Sequence, residues 1–164
     1  APKMNLKIIT KIGLLATVIL PLAQSYADMN SARNKHFASE YLTLCETSAE
    51  PVETANTPDE AAQQSLRVSK PFAKTLTLNE QGLAYLNLSI ENWDEKLVLF
   101  HSKQANIEIK DADVTGENIT NQHCDKPDMI ISHINTHEWG SYPVKVSGKP
   151  NQRVTIKLYR EQSR

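Results

Sequence analysis

From Phe72 onward, apolar and polar residues alternate with a period of two. Leu76 and Leu78 are interleaved with threonines. Leu86, Leu88 and Ile90 are interleaved with Asn87, Ser89 and Glu91, and Ile107 and Ile109 are flanked by Asn106, Glu108 and Lys110. Tyr142, Val144 and Val146 form one more such run, and Val154, Ile156 and Leu158 another. Neighbouring side chains on a strand point to opposite faces, so this pattern predicts half-buried antiparallel strands with one dry and one wet face. Lys96–Ser102, "KLVLFHS", is apolar nearly throughout and predicts a central strand. The turn-forming stretches "NEQG", "ENWDE", "SKQAN" and "SGKPNQ" separate the runs. About seven short strands with regular turns predict a mainly β fold, an antiparallel β-sandwich. Tyr142–Val146 and Val154–Leu158 alternate in step, which predicts a closing hairpin. In that hairpin Lys145 and Lys157 occupy the wet face, the Pro143 nitrogen faces out from an edge or sits at a bulge, and Gly148 supplies a turn conformation.

Before Phe72 the period is different. Phe37, Tyr41, Leu44 and Cys45 share one face of a helix over residues 30–46, with Asn30 or Ser31 at its start. The next stretch, "ETSAEPVETANTPDE", reads as a linker or exposed loop. Within it, Thr57-Pro58-Asp59-Glu60 has the form of a capping box and predicts a short helix.

The N-terminal composition bears on location. Lys7 and Lys11 precede an uncharged run from Ile12 to Leu22, followed by Ser25-Tyr26-Ala27. This is the order of a secretory signal peptide cut after Ala27, with an uncleaved anchor as the alternative. Residues 1–27 are therefore set apart, with a short upstream extension before Met4. A helix and linker are expected over 28–69 and a sandwich over 70–164, with no stable membrane span once the signal is removed. Such a protein is periplasmic or secreted. Cys45 and Cys124 are the only cysteines, and in an oxidising compartment they predict a disulfide tethering the helix to the sheet. The formal charge of −1, without a basic cluster, argues against nucleic acid as a partner.

The richest candidate chemistry is in "SHINTHEWGSYPVKVSGKP", Ser132–Pro150. His133 and His137 are four apart, a spacing that suits one metal ion on a helix but leaves the rings far apart on a strand. "MIISHINTHEW" reads as strand, which favours surface histidines and no cofactor. The alternative is a divalent metal, Zn or Ca, with His101, His123, His133 and His137 as candidate ligands. Asp111–Glu117, "DADVTGE", carries oxygen ligands without EF-hand spacing and reads as a solvated turn. Trp93 and Trp139 lie at strand ends among polar residues. They either plug the sandwich or present rings that stack on sugars or anchor a partner. Neither a G-x-S-x-G elbow nor an H-E-x-x-H motif is present, so no catalytic residue is assigned.

Across residues 70–160, "LAYLNLSIEN", "EKLVLFHS" and "WGSYPVKVSGKPNQRVTIKLY" resemble the bacterial pre-peptidase C-terminal domain and similar jelly-roll-like exported sandwiches. Gly140, Tyr142, Val144, Val146 and Gly148 match that family's final strand pattern. Lys96 and Val98 stand where the family carries an acidic pair, so a calcium role for those acids does not transfer. The resemblance implies an accessory, non-catalytic binding or interaction domain of a bacterial envelope, with an envelope protein, a glycan or a small ligand as partner. A histidine-cluster metal protein is the alternative, and a small hydrolase or hydrolase inhibitor is a second.

Overall fold

The structure, a computed structural model, describes residues 22–163. Of the expected export signal, Lys7, Lys11 and all of the apolar run except Leu22 lie outside the described residues. The expected cut after Ala27 falls inside the first helix. The chain runs α1 (Leu22–His36), α2 (Ala38–Glu46), β1 (Glu50–Pro51), α3 (Pro58–Ala62), β2 (Leu66–Arg67), β3 (Phe72–Thr77) and β4 (Leu83–Ile90). It continues with β5 (Lys96–Ser102), β6 (Asn106–Ile109), β7 (Asp113–Ile119), β8 (Met129–Asn135), β9 (Gly140–Ser147) and β10 (Arg153–Arg160). A six-stranded sheet has the order β1-β3-β10-β5-β8-β7, and a four-stranded sheet has the order β2-β4-β9-β6.

The two sheets face each other in a sandwich-like arrangement. Leu76, Leu97, Leu99, Val154, Ile156 and Leu158 of the larger sheet share one buried cluster with Leu86, Leu88, Tyr142, Val144 and Val146 of the smaller. The larger sheet is also covered on its other face. Tyr41 and Leu44 of α2 pack there against Val98, Phe100, Ile119, Met129 and Ile131. This explains the unbroken apolar run of β5, whose residues face the sandwich and the helices by turns.

The expected fold class holds as mainly β, but several details differ. The described residues contain ten strands, not about seven. Two of the extra ones, β1 and β2, are two-residue strands inside the expected linker, and they pair parallel with β3 and β4. Asp111–Glu117 is not a turn throughout. Asp111 and Ala112 turn, and the rest enters β7, a solvated edge strand whose pairing with β8 is broken by bulges. The helix starts before Asn30, so neither Asn30 nor Ser31 caps it, and the helical run is interrupted at Phe37. At α3 the Glu60 amide does donate to Thr57 Oγ1, but the Glu60 carboxylate reaches back to the Asn56 amide instead of to Thr57.

The closing hairpin does not form. β9 pairs with β4 and β6, and β10 pairs with β3 and β5. Alternation told which side of each strand is dry, and all six expected apolar residues do enter one core. They meet across the sandwich instead of side by side. Pro143 therefore lies on an interior strand. Its carbonyl accepts from Lys110 just beyond the end of β6, and its ring nitrogen, on that same side, needs no ladder partner. Gly148 has no positive φ, so the expected turn conformation is absent there; a Cβ would lie 2.6 Å from Gln152 Oε1 and 3.0 Å from a Leu78 methyl, both ends of side chains that can shift.

Lys157 is not on a wet face. It is 8 % exposed, beneath the C-terminal end of α2, and its Nζ donates to the carbonyls of Leu44 and Thr47 at 3.0 and 2.9 Å. A cation there satisfies last-turn carbonyls and complements the helix dipole. Burial, with a smaller contribution from Lys126, lowers its pKa from the ordinary lysine value. The Cys45–Cys124 disulfide is present and spans 79 residues, tethering α2 to the segment between β7 and β8. No helix among the described residues is long and apolar enough to cross a membrane.

Candidate functional site

The end of the sandwich carrying the β4–β5 and β8–β9 loops presents both tryptophans. Trp93 is 64 % exposed and Trp139 is 63 % exposed, so neither plugs the core. The two loops are bonded into one unit. The Asp94 amide donates to the His137 carbonyl at 2.6 Å, and the buried Thr136 donates from its amide and hydroxyl to the Glu95 carbonyl at 3.0 and 2.9 Å. Beneath them the Tyr142 hydroxyl contacts the Thr136 carbonyl and donates to the Glu138 carbonyl at 2.8 Å. His137 Nε2 lies 2.6 Å from Asp113 Oδ2, which ties the β8–β9 loop to β7.

The backbone takes special conformations here. Asp94 and His137 have φ of 50° and 54°, and Gly140 has φ of 145°. Glycine tolerates the last of these without a Cβ clash. These turns project the indoles outward while the backbone beneath is held by hydrogen bonds. Beside Trp93 a polar cavity of about 610 Å³ is lined by Asn92, Asp94, Lys96, Arg160, Glu161 and Gln162, among others. Asn92 Nδ2 donates to Glu95 Oε2 at 2.7 Å, which orders part of that wall.

The four candidate histidines are in four different settings. His133 is fully buried on the helix-covered face, which corrects the expectation of a surface histidine. Its Nδ1–H donates to Glu161 Oε1 at 2.7 Å, and its Nε2 accepts from the Tyr41 hydroxyl at the same distance. Phe37 lies over it with ring centroids 4.4 Å apart. Burial pushes the Tyr41 phenol far above its usual range, so it stays a donor. His137 lies beyond the end of β8, so it shares no strand face with His133. His123 bonds the Asn34 carbonyl at 2.8 Å and meets Tyr41 edge-on.

His101, on β5, lines a cleft of about 430 Å³ with Ile107, Val114, Ser132 and Ile134. Its Nδ1–H donates to the Ser102 carbonyl at 3.0 Å, leaving Nε2 to face Ser132 Oγ at 3.4 Å. Burial lowers its pKa from the ordinary imidazole value. Among the described residues, no three His, Cys, Asp or Glu side chains gather closely enough to hold one metal ion.

Sequence reading located the tryptophans but not the groups around them. Asn92 and Asp94 adjoin Trp93 in the chain and could have been named with it. Arg160 and Gln162 come from the far end of the chain and carry no local signal. The Tyr41–His133 pairing, 92 residues apart, is equally invisible before folding. No protein-family model matches the chain, and no curated protein does.

Proposed function

We propose that the chain is an exported, non-catalytic binding domain of a bacterial envelope, and that it recognises its partner through the Trp93–Trp139 end. The observation that carries this is the pair of exposed tryptophans on two hydrogen-bonded loops. Large aromatic rings ordinarily bury their area, and rings held out on an ordered backbone are a preorganised contact surface. The order of basic, apolar and small residues in 4–27 supports export, as does the disulfide, which persists in oxidising compartments. The resemblance to pre-peptidase C-terminal domains supports the same accessory role.

The test is binding of purified protein to envelope material from the producing cell, with wild type compared to a Trp93→Ala/Trp139→Ala double variant. Both side chains are exposed, so the double variant keeps its unfolding midpoint while envelope binding falls at least tenfold. Equal binding by the two proteins would overturn the reading.

A second reading, a small hydrolase, rests on one contact: neutral His101 Nε2 facing Ser132 Oγ in the cleft beside β6. Labelling of Ser132 by a fluorophosphonate, lost in His101→Ala, would favour it. Absence of labelling in the folded protein removes it.

A further inference from the structure

We infer that the ligand of the tryptophan end is a neutral glycan chain. This rests on the binding role assigned to that end above and adds the chemistry of the ligand. A sugar ring has a C–H face that packs on a flat aromatic ring and a rim of hydroxyls that both donate and accept hydrogen bonds. The site offers partners for each. Trp93 borders the polar cavity, and the cavity wall supplies the amides of Asn92 and Gln162, the Asp94 carboxylate and the Arg160 guanidinium. Such planar amide, carboxylate and guanidinium groups can bond adjacent hydroxyls in pairs.

The second indole extends the surface to a chain of rings. Trp93 is one residue from the Asp94–His137 hydrogen bond, and Trp139 is two residues from it. Chain reach alone keeps the two Cα atoms within about 16 Å, at up to about 3.8 Å per residue on either side of one backbone hydrogen bond. A short oligosaccharide spans that interval. The ordered loops mean that little freedom is lost when the indoles are covered, which favours a ligand offering only weak individual contacts.

Charge selects among glycans. The cavity is lined by three carboxylates, Asp94, Glu95 and Glu161, against two cations, Lys96 and Arg160. A polyanion would meet a slight excess of its own sign, in contrast to the basic surfaces that take nucleic acids or anionic lipid. A neutral polysaccharide meets no such penalty.

The test is affinity gel electrophoresis of the full chain through gels containing mixed-linkage β-glucan, xylan, amylose or polygalacturonate, with fluorescence titration against soluble chitin oligomers. Both tryptophans of the protein lie at this end, so tryptophan fluorescence, excited beyond the tyrosine absorption band, reports on this surface alone. At least one neutral glycan should retard wild type. The double tryptophan variant, which has no indole left to report and is read by gel retardation or, for chitin oligomers, by calorimetry, should bind it at least tenfold more weakly, and Asp94→Asn/Arg160→Gln should weaken it several-fold without changing the unfolding midpoint. Retardation by polygalacturonate alone, or by none of these probes, would overturn the inference. Tryptophan-dependent envelope binding that disappears when the envelope is treated with protease would also overturn it, while leaving the binding role of this end intact.

Discussion

Replacing Lys157 by Ala removes the donor beneath the end of α2. Two carbonyls, of Leu44 and Thr47, lose a charged partner at 3.0 and 2.9 Å. Hydrogen bonds to charged groups contribute a net of roughly 1.5–3 kcal/mol each in typical settings. This lysine is buried more than most, burial being the larger cause of its lowered pKa, and that offsets part of the gain. A polar cavity of about 400 Å³ lined by Lys126, Thr155 and Lys157 lets water reach the freed carbonyls, which limits the loss further. The expected net cost is about 1–3 kcal/mol. Lys157→Met keeps most of the buried stem and isolates the ammonium from the packing of the chain that carries it. Lys145→Ala, on the solvent face of β9, should cost less than about 0.5 kcal/mol. Urea denaturation of the oxidised proteins, with slopes held equal, gives the three values. A Lys157→Ala midpoint indistinguishable from that of Lys145→Ala would refute the capping role and return this residue to the solvent.

The histidines should separate in the same assay: His133→Ala opens a buried cavity and strips Tyr41 and Glu161 of a partner, costing about 3–5 kcal/mol, while exposed His137→Ala should cost under about 1 kcal/mol. Comparable costs for the two would contradict the buried relay. Replacing both Cys45 and Cys124 by Ser releases a 79-residue loop and should lower stability by roughly 4–5 kcal/mol in the chain-entropy picture, read as a lower urea midpoint. In alkali the Tyr41 phenol, whose folded pKa is raised, keeps its proton where the unfolded chain has lost it. Stability from this group is therefore intact below pH 10 and declines as pH rises above 10. Because Lys157 has a lowered pKa, its linkage runs the other way, with stability rising toward the unfolded value of 10.5, so the Tyr41 decline is best measured in Lys157→Met. An ultraviolet titration in which all five tyrosines ionise together would refute the Tyr41 assignment.

Alternation alone made most strands legible, because each long strand has one face in the core. It could not say which strands are neighbours. Val144 and Ile156 look the same whether they lie side by side or across a sandwich, and so the hairpin was expected and the crossing was not. The second covered face was half legible. A helix carrying Phe37, Tyr41 and Leu44 on one side has to dock somewhere, and β5 is apolar on both faces, which together mark the larger sheet as doubly covered. Lys157 then belongs under the helix, a step that needs the strand order to be known. Of the candidate site, Trp93 and Trp139 were visible as aromatics among turn residues. That their two loops are bonded together depends on the Asp94–His137 hydrogen bond, which no local pattern encodes.

The place of β10 in the larger sheet governs when this protein can fold. β10 lies between β3 and β5, so the sheet has a gap at its centre until Arg153–Arg160 has been made. Among the strands of the described residues, only β7 and β8 are both consecutive in the chain and paired with each other. Early local hairpins are therefore scarce, and closing the long loops that join distant strands must come first, at an entropic cost that slows the search. A chain emerging from the ribosome would leave β3 and β5 without their shared neighbour until residues 153–160 had followed them. That delay leaves the apolar edges of β3 and β5 exposed, an interval in which the chain is open to aggregation without a chaperone.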